Sequence, residues 1–214
     1  MSDLTPDAMP GRLIAAAAGL IAASGAGSLS ARRVAAAAGT STMAVYTHFG
    51  SMGALVRAVV AGGFDALEAA FVSDVETDDP VADVARQSAA YVHFARENRD
   101  LYAVMFGIAA LGEFRPTSPE ELGVGRRQTL DRVTSNLGRA AAAGRIGAAR
   151  GDAPTFRWWT VVHGYALLES SGHIAPDRGP KSVLAPLLCD FFVGEGDGRA
   201  RALDSVTGGL ASLT

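Results

Sequence analysis

Two short polar runs near the N-terminus carry side chains that can bind a nucleic acid. Arg32 and Arg33 are adjacent, and the run TSTMAVYTHF at residues 40–49 supplies hydroxyl, imidazole and methyl groups. A guanidinium group matches guanine O6 and N7 or a phosphate, a hydroxyl matches phosphate oxygens, and a methyl group can contact thymine. The chemistry that these residue types allow at this spacing is the recognition of DNA.

Catalytic patterns are absent from the sequence. It contains no GxSxG elbow, no P-loop and no HExxH motif, and its single cysteine, Cys189, has no histidine beside it. His48, His93, His163 and His173 do not have the spacing of metal ligands. Cys189 lies in an apolar segment, where a buried small side chain is more common than a redox sensor. We therefore expect no cofactor and no enzyme, with an all-α enzyme as the less favoured alternative.

Composition and charge further restrict the class of protein to which the chain can belong. The chain has 214 residues, of which 49% are hydrophobic, so it can bury one or two cores. One cysteine cannot form an internal disulfide, and no stretch reaches the roughly 18 apolar residues of a membrane-spanning helix. We therefore expect a cytoplasmic protein without a membrane segment. The net charge is -3, but residues 1–62 carry four arginines and two aspartates, so the basic excess lies where the polar runs lie.

Apolar side chains recur three or four residues apart along most of the chain, which predicts an all-α protein. Ser30, Ser41 and Ser51 are placed to cap helices, and Gly39 is placed to end one. Residues 194–201, GEGDGRAR, are predicted to form a loop or a frayed tail. The predicted helices span residues 10–24, 31–38, 42–47, 52–76, 81–98, 101–110, 119–143, 154–171, 181–193 and, as a last short helix, 202–213.

The second and third predicted helices, joined by a glycine turn, have the spacing of a helix-turn-helix. The run LSARRVAAAAGTSTMAVYTHFGSMGAL, from Leu29 to Leu55, resembles the N-terminal domain of the TetR family, whose hallmark matches YTHF at residues 46–49. With the flanking helices, the resemblance covers about residues 10–62. It implies a homodimeric repressor of transcription that binds operator DNA. Residues 1–52 would form the DNA-binding domain and residues 53–214 a larger helical domain for effector binding and dimerisation.

The resemblance also implies roles for single side chains. Arg32 and Thr42 are the expected base readers, and Tyr46 and His48 the expected phosphate ligands, while the two residues after Thr42 could contact thymine methyl groups. Arg33 has the alternative of being a solvated surface residue. The full set of expected DNA contacts is Arg32, Arg33, Thr42, Met43, Ala44, Tyr46, Thr47 and His48.

One position departs from the family's pattern. The family often places a lysine at the start of the fourth helix, where this sequence has Met52. This departure weakens the expected phosphate clamp, although a phosphate can still approach the free N–H groups and the dipole of a helix N-terminus.

The segment FRWWTVVHGYALLESSGH, residues 156–173, resembles the tryptophan–histidine–glycine subgroup of the same family through Trp159, His163 and Gly164. A glycine inside a helix costs about 1 kcal/mol relative to alanine, so Gly164 suggests a close approach of another helix. We expect a two-fold dimer interface here, shared with the helix at 181–193, and the alternative is a helix crossing within one subunit. The interface residues expected are Val161, Gly164 and Leu168.

The opposite side of this predicted helix carries Trp159 and His163, which together with apolar residues of other helices could line a pocket. The expected ligand is a small hydrophobic effector of unknown identity. A fully packed core is the alternative for the same residues, and a DNA-bound regulator without an effector is the alternative function. The predicted pocket residues are Phe64, Leu67, Phe71, Tyr91, Phe94, Met105, Phe106, Leu137, Trp159 and His163.

Overall fold

In a computed structural model of the chain, residues 8–72, 76–114, 126–148 and 151–213 are described. These residues form helices and contain no β-strand, which confirms the all-α fold class. A π-helical turn, Pro180–Leu184, leads directly into the ninth helix. The α-helices are α1 (Ala8–Ser24), α2 (Ala31–Ala38), α3 (Thr42–Phe49), α4 (Met52–Val72), α5 (Pro80–Glu97), α6 (Arg99–Met105), α7 (Arg126–Ala142), α8 (Ala153–Ser170), α9 (Ala185–Gly194) and α10 (Arg199–Gly209).

Two predicted helices extend beyond the described residues: residues 73–75 of the fourth and 119–125 of the seventh lie outside them. The sixth helix begins earlier and ends earlier than predicted, and Gly107, with a φ of 64°, follows its end.

Residue contacts divide the described chain into two compact units. The described residues up to Ala66 and from Asn98 to Arg126 form the first unit, and Leu67–Glu97 together with the chain from Arg127 onward forms the second. Helix α4 contributes residues to both units. The functional boundary expected after Met52 stays a prediction.

Local sequence explains the short helices of the first unit. The hydroxyls of Ser30, Ser41 and Ser51 each accept a hydrogen bond from the backbone N–H three residues later, at 3.3, 3.3 and 3.1 Å. A serine cap of this kind contributes about 1 kcal/mol to helix stability. Gly39 ends α2 in the left-handed region, with a φ of 63°, which a side chain would disfavour. These caps and this stop are the ones that the sequence predicts.

The core of the first unit fixes the α2–α3 pair against α1 and α4. The guanidinium of Arg12 on α1 donates to the carbonyl of Ala38, one of the unpaired carbonyls at the end of α2. The apolar side chains of this core pack into one buried cluster, so they determine how α2 and α3 are oriented. The fully buried members are Leu13, Ala17 and Ile21 of α1, Val34 of α2, Val45 of α3, and Leu55 and Val59 of α4.

The second unit contains a polar network around Arg145. Its guanidinium donates to Asp197 through Nε and Nη2, the latter at 2.7 Å, and to Asp79 Oδ1 at 2.9 Å. Ser205 accepts from Arg145 and donates to Asp79 Oδ2 at 2.6 Å. Because Asp197 is buried and also accepts from the N–H of Gly198, the turn between α9 and α10 is held in place. The predicted loop through residue 201 is therefore wrong at its end, since α10 begins at Arg199.

Candidate nucleic-acid interface

Helix α3 presents most of its side chains to solvent. Val45 is fully buried, but Met43 is 71% exposed and Tyr46 is 50% exposed. Thr42, Thr47 and His48 are also exposed, and Ala44 is half-buried. Met43 and Tyr46 are three residues apart and so adjoin on the helix surface, and adjoining exposed apolar side chains are typical of a surface that binds a partner. Six of the eight residues predicted to contact DNA therefore lie on the accessible part of α3, which we call the α3 face: Thr42, Met43, Ala44, Tyr46, Thr47 and His48.

The two adjacent arginines of α2 differ in their contacts. Arg33 Nη1 donates to the carbonyl of Ser28 at 2.9 Å, so its guanidinium is tied to the preceding loop. Arg32 is exposed, and its side chain has no hydrogen bond or ion pair within the described part of the chain. Of the two, Arg32 has the guanidinium that can bind a ligand without first breaking a contact of the protein.

The start of α4 has a cation that the sequence interpretation did not assign. Met52 is half-buried, but the exposed Arg57 extends back toward the first turn, so that a methyl group placed on Gly53 would lie 3.5 Å from Arg57 Nη1. Side chains on a helix lean toward its N-terminus, so an arginine five positions after a missing lysine can place its charge near the same end. The sequence does contain a signal for this contact, because Gly53, four residues before Arg57, has no side chain to hinder the guanidinium.

In the second unit the structure brings three of the predicted pocket residues together. Trp159 Nε1 donates to the Tyr91 hydroxyl at 3.1 Å, and that hydroxyl lies 3.0 Å from His163 Nδ1. Burial lowers the pKa of His163, which keeps the ring neutral at neutral pH. A neutral ring can accept the Tyr91 hydroxyl hydrogen at Nδ1, so that Tyr91 both accepts and donates.

The remaining predicted pocket residues are distributed over both units. In the first unit, Phe64 and Phe106 meet edge to face, with ring centroids 5.6 Å apart, and Met105 is buried. In the second unit, four further members are all at least 96% buried: Leu67, Phe71, Phe94 and Leu137.

The sequence does not distinguish the two adjacent tryptophans, but the structure does. Trp158 is fully buried and donates from Nε1 to Ser88 Oγ at 2.9 Å, while Trp159 remains half-buried. The sequence interpretation did not identify Trp158 as the residue that anchors α8. Its hydrogen-bond partner, Ser88, is 70 residues away, so no local pattern distinguishes Trp158 from Trp159.

The face of α8 expected at the dimer interface is open. A methyl group placed on Gly164 would meet no atom within 4 Å, so the described chain supplies no helix crossing at this glycine. Leu168 is 49% exposed and Val161 is half-buried. Leu187 of the neighbouring helix α9 is 43% exposed. Val161, Gly164 and Leu168 lie on one side of α8, and we call this side, together with the exposed Leu187 of the adjacent helix, the α8–α9 face.

The described residues lack the features of two other classes of site. No group of three or more histidine, cysteine, aspartate or glutamate side chains lies close enough to hold a metal ion within them. None of the described helices combines the length and the apolar character needed to cross a membrane.

Comparisons with known proteins agree on one family. Residues 13–59 match the family model for bacterial regulatory proteins of the tetR family, and residues 84–191 match the tetracyclin repressor-like C-terminal domain. No curated protein sequence matches the chain significantly.

Several solved structures are similar over nearly their whole length. A tetR-family regulatory protein from Rhodococcus RHA1 is 23% identical, with a TM-score of 0.70 over 92% of this chain and 100% of the other. GusR from Salmonella enterica is 20% identical, with a TM-score of 0.67 over 98% and 100%. RolR, solved in complex with resorcinol, is 18% identical, with a TM-score of 0.61 over 94% of both chains. At these identities the likeness shows a shared fold.

Proposed function

The chain belongs to the TetR family of transcriptional regulators, and from this premise we propose that it is a homodimeric repressor that a small effector releases from a palindromic operator. The observation that carries the proposal is the α3 face, which presents accessible hydroxyl, imidazole and thioether groups on a short helix that follows the exposed Arg32 of α2. A helix of this kind fits the major groove, and the arginine matches a guanine edge. Such a regulator would act in the cytoplasm, where the operator is.

The α3 face supports a division of roles among its residues. Arg32 and Thr42 would read bases, Tyr46 and His48 would bind phosphates, and Met43 would contact a thymine methyl group. Arg57, with its charge near the first turn of α4, would add the phosphate contact that Met52 cannot make. Arg33 would contribute charge, while its own guanidinium stays bonded to the Ser28 carbonyl.

Arg32→Ala is expected to weaken binding to the operator by about 1 to 3 kcal/mol and to leave binding to random DNA almost unchanged, because a base contact carries sequence information and a phosphate contact does not. Fluorescence anisotropy with both DNAs at one salt concentration measures the two losses.

Arg33→Ala is the matched control, since it removes the same charge from the neighbouring position. It and Tyr46→Phe should weaken both DNAs alike. Equal losses on operator and random DNA for Arg32→Ala would assign Arg32 to a phosphate instead.

The effector would bind in the C-terminal domain beside Trp159 and His163. The hydrogen-bonded group of Tyr91, Trp159 and His163 supplies polar atoms among aromatic rings, which suits a small aromatic molecule. RolR, which shares the fold, is described with resorcinol bound, and this makes resorcinol a reasonable first compound to test.

Helix α4 is the element that would couple effector to operator. It spans Met52–Val72, about 30 Å at 1.5 Å per residue, and contributes to both compact units. An effector that prefers one position of this helix by about 1 to 3 kcal/mol would change operator affinity some 5- to 150-fold. The operator must then change effector affinity by the same factor.

A further inference from the structure

The guanidinium of Arg12 lies at the end of α2, where the chain turns toward α3. Arg12 belongs to the first half of α1 and is half-buried. Its Nη2 donates to the carbonyl of Ala38, the last residue of α2, across 26 residues of sequence. A methyl group placed on Gly39 would lie 3.2 Å from the same nitrogen, so the guanidinium also lies against the first residue of the turn.

The backbone of the turn leaves this carbonyl to the guanidinium. The N–H of Gly39 donates to the Ala36 carbonyl at 3.3 Å, and the N–H of Thr40 donates to the Ala35 carbonyl at 2.8 Å. The last carbonyls of a helix have no partner within the helix, and the negative end of the helix dipole lies beside them. A cation that donates to Ala38 therefore satisfies one of these carbonyls and is attracted by the dipole.

The apolar packing of α2 offers little resistance to a small tilt or rotation of the helix. Its buried side chains are those of Val34 and of three alanines, Ala31, Ala35 and Ala38. A core acquires a single arrangement when large side chains interlock, and a methyl group contributes little to such interlocking. A directional hydrogen bond at the end of α2 therefore adds orientation that the apolar contacts do not provide.

The placement of α3 depends on that of α2. Helix α3 packs against α2 across the turn, and Val45 is the residue that it buries. Its eight residues span about 12 Å, so a tilt of about 10° at its start displaces its far end by about 2 Å. A hydrogen bond to a base edge requires a donor–acceptor distance of about 2.7 to 3.2 Å, so a displacement of this size breaks it.

We propose that Arg12 is a positioning residue for the recognition of the operator. By holding the end of α2, its guanidinium sets the angle at which α3 enters the major groove, and it acts through Ala38 and the turn without touching DNA. This inference rests on the proposed function, because it concerns how the α3 face is oriented on the operator. It adds a residue of α1, outside the helix-turn-helix, to those that determine sequence preference.

Arg12→Met and Arg12→Lys test this role in the full-length protein. Methionine removes the charge and every donor, while lysine keeps a charge and N–H donors. Arg12→Met should bind the operator, taken as the palindrome that the wild type selects from a random library, about 5- to 50-fold more weakly, comparable to the loss of one base contact. Its affinity for random DNA should stay within about twofold of the wild type, because phosphate contacts carry that affinity.

Arg12→Lys should recover part of the loss, and it keeps the test available if the methionine variant does not fold. Fluorescence anisotropy with both DNAs, at a temperature at which circular dichroism shows each variant folded, measures these affinities.

The salt dependence of binding separates positioning from a direct phosphate contact. Each phosphate contact contributes about 0.9 to the slope of log K against log salt concentration. Arg12→Met should leave the slope on the operator unchanged, since Arg12 displaces no counterion from the DNA. Arg99→Met is the matched control, because it removes the same charge from an exposed position on α6 in the same compact unit. It should leave both affinities and the slope unchanged.

The other outcomes contradict the proposal in distinguishable ways. A folded Arg12→Met protein that melts earlier but prefers the operator as the wild type does would give Arg12 a structural role alone. Equal losses on both DNAs, with a slope smaller by about 0.9 per subunit, would make Arg12 a phosphate ligand. An Arg12→Lys protein as weak as Arg12→Met would exclude the bond to Ala38 as the cause.

The wild type separates this inference from the proposed function. A wild-type protein that selects no palindrome overturns both. A wild type that selects a palindrome, which Arg12→Met then selects to the same degree, overturns this inference and leaves the proposed function intact.

Discussion

Leu168→Glu is expected to convert the protein from a dimer to a monomer and to lower its affinity for a palindromic operator about 10²- to 10⁴-fold. Leu168 is 49% exposed on the α8–α9 face, next to a glycine that no part of the described chain covers. A two-fold interface uses the same patch on both subunits, so one substitution buries two carboxylates among apolar groups. A separated subunit binds only one half-site, so it loses the gain in affinity that comes from binding two half-sites together. That gain sets the size of the expected loss.

The control for this variant is Leu203→Glu. Leu203 is also 49% exposed, but it lies on α10, outside the α8–α9 face. The Leu203→Glu protein should sediment as the wild type does and bind the operator with unchanged affinity. Analytical ultracentrifugation at micromolar concentration gives the assembly state, and anisotropy gives the affinity. A Leu168→Glu protein that remains dimeric would place the interface on another surface.

Gly164→Ala tests the same interface, because it should stabilise the helix within the subunit and destabilise the contact between subunits. Alanine inside a helix is favoured over glycine by about 1 kcal/mol, and the added methyl group meets nothing within the described subunit. The variant should therefore raise the free energy of unfolding of the subunit. It should also raise the dissociation constant of the dimer if the partner helix approaches closely at this glycine.

Arg145→Ala is expected to lower the free energy of unfolding by about 3 to 5 kcal/mol, the usual cost of removing one partner of a buried ion pair. The loss leaves Asp197, which is only 5% exposed, without its main counter-charge, and it removes a donor to Asp79 and to Ser205. Urea unfolding monitored by circular dichroism measures the change.

Arg199→Ala is the matched control, since Arg199 pairs with Asp190 at 2.9 Å while both side chains are more than half exposed. An exposed pair of this kind contributes about 0 to 1 kcal/mol. Equal losses in the two variants would mean that the Arg145 network contributes no more than a surface ion pair.

The same network implies a dependence of stability on acid. Burial alone would raise the pKa of Asp79, but hydrogen bonds from Ser205 and the Ala82 N–H, together with the charge of Arg145, outweigh it and leave the pKa below its ordinary value. A carboxyl whose pKa is lowered by folding stabilises the protein above the pKa it has when unfolded, near 4, and this stabilisation is lost as the pH falls through the folded value. Arg145→Ala should therefore weaken the acid dependence of stability.

Local signals in the sequence predicted the DNA-binding part of the fold well. Ser30, Ser41 and Gly39 act over three or four residues, so their effect on α2 and α3 follows from residue type alone. The exposed α3 face follows in the same way, because a helix of eight residues with Val45 as its buried anchor leaves the other positions accessible.

Features that depend on distant pairs were not predictable from local patterns. Arg145 and Asp197 are 52 residues apart, and Asp79 and Ser205 are 126 apart, so no local pattern marks them as partners. The run at residues 194–201 looked like a loop because its glycines and charges are typical of loops, yet Asp197 holds it as an ordered turn. Gln87 gives no signal in the sequence either, since only the fold buries this side chain and leaves its Oε1 without a hydrogen-bond partner.

We expect the α3 face and Arg32 to read a specific DNA sequence as part of a dimer. The most direct measurement is selection of bound duplexes by the full-length protein from a random library, followed by sequencing. We expect a palindrome whose half-sites are centred about one helical turn, roughly 34 Å, apart or somewhat more, and we expect Arg32→Ala to lose part of that sequence preference. Enrichment of no motif, or of the same motif to the same degree by Arg32→Ala, would contradict the claim.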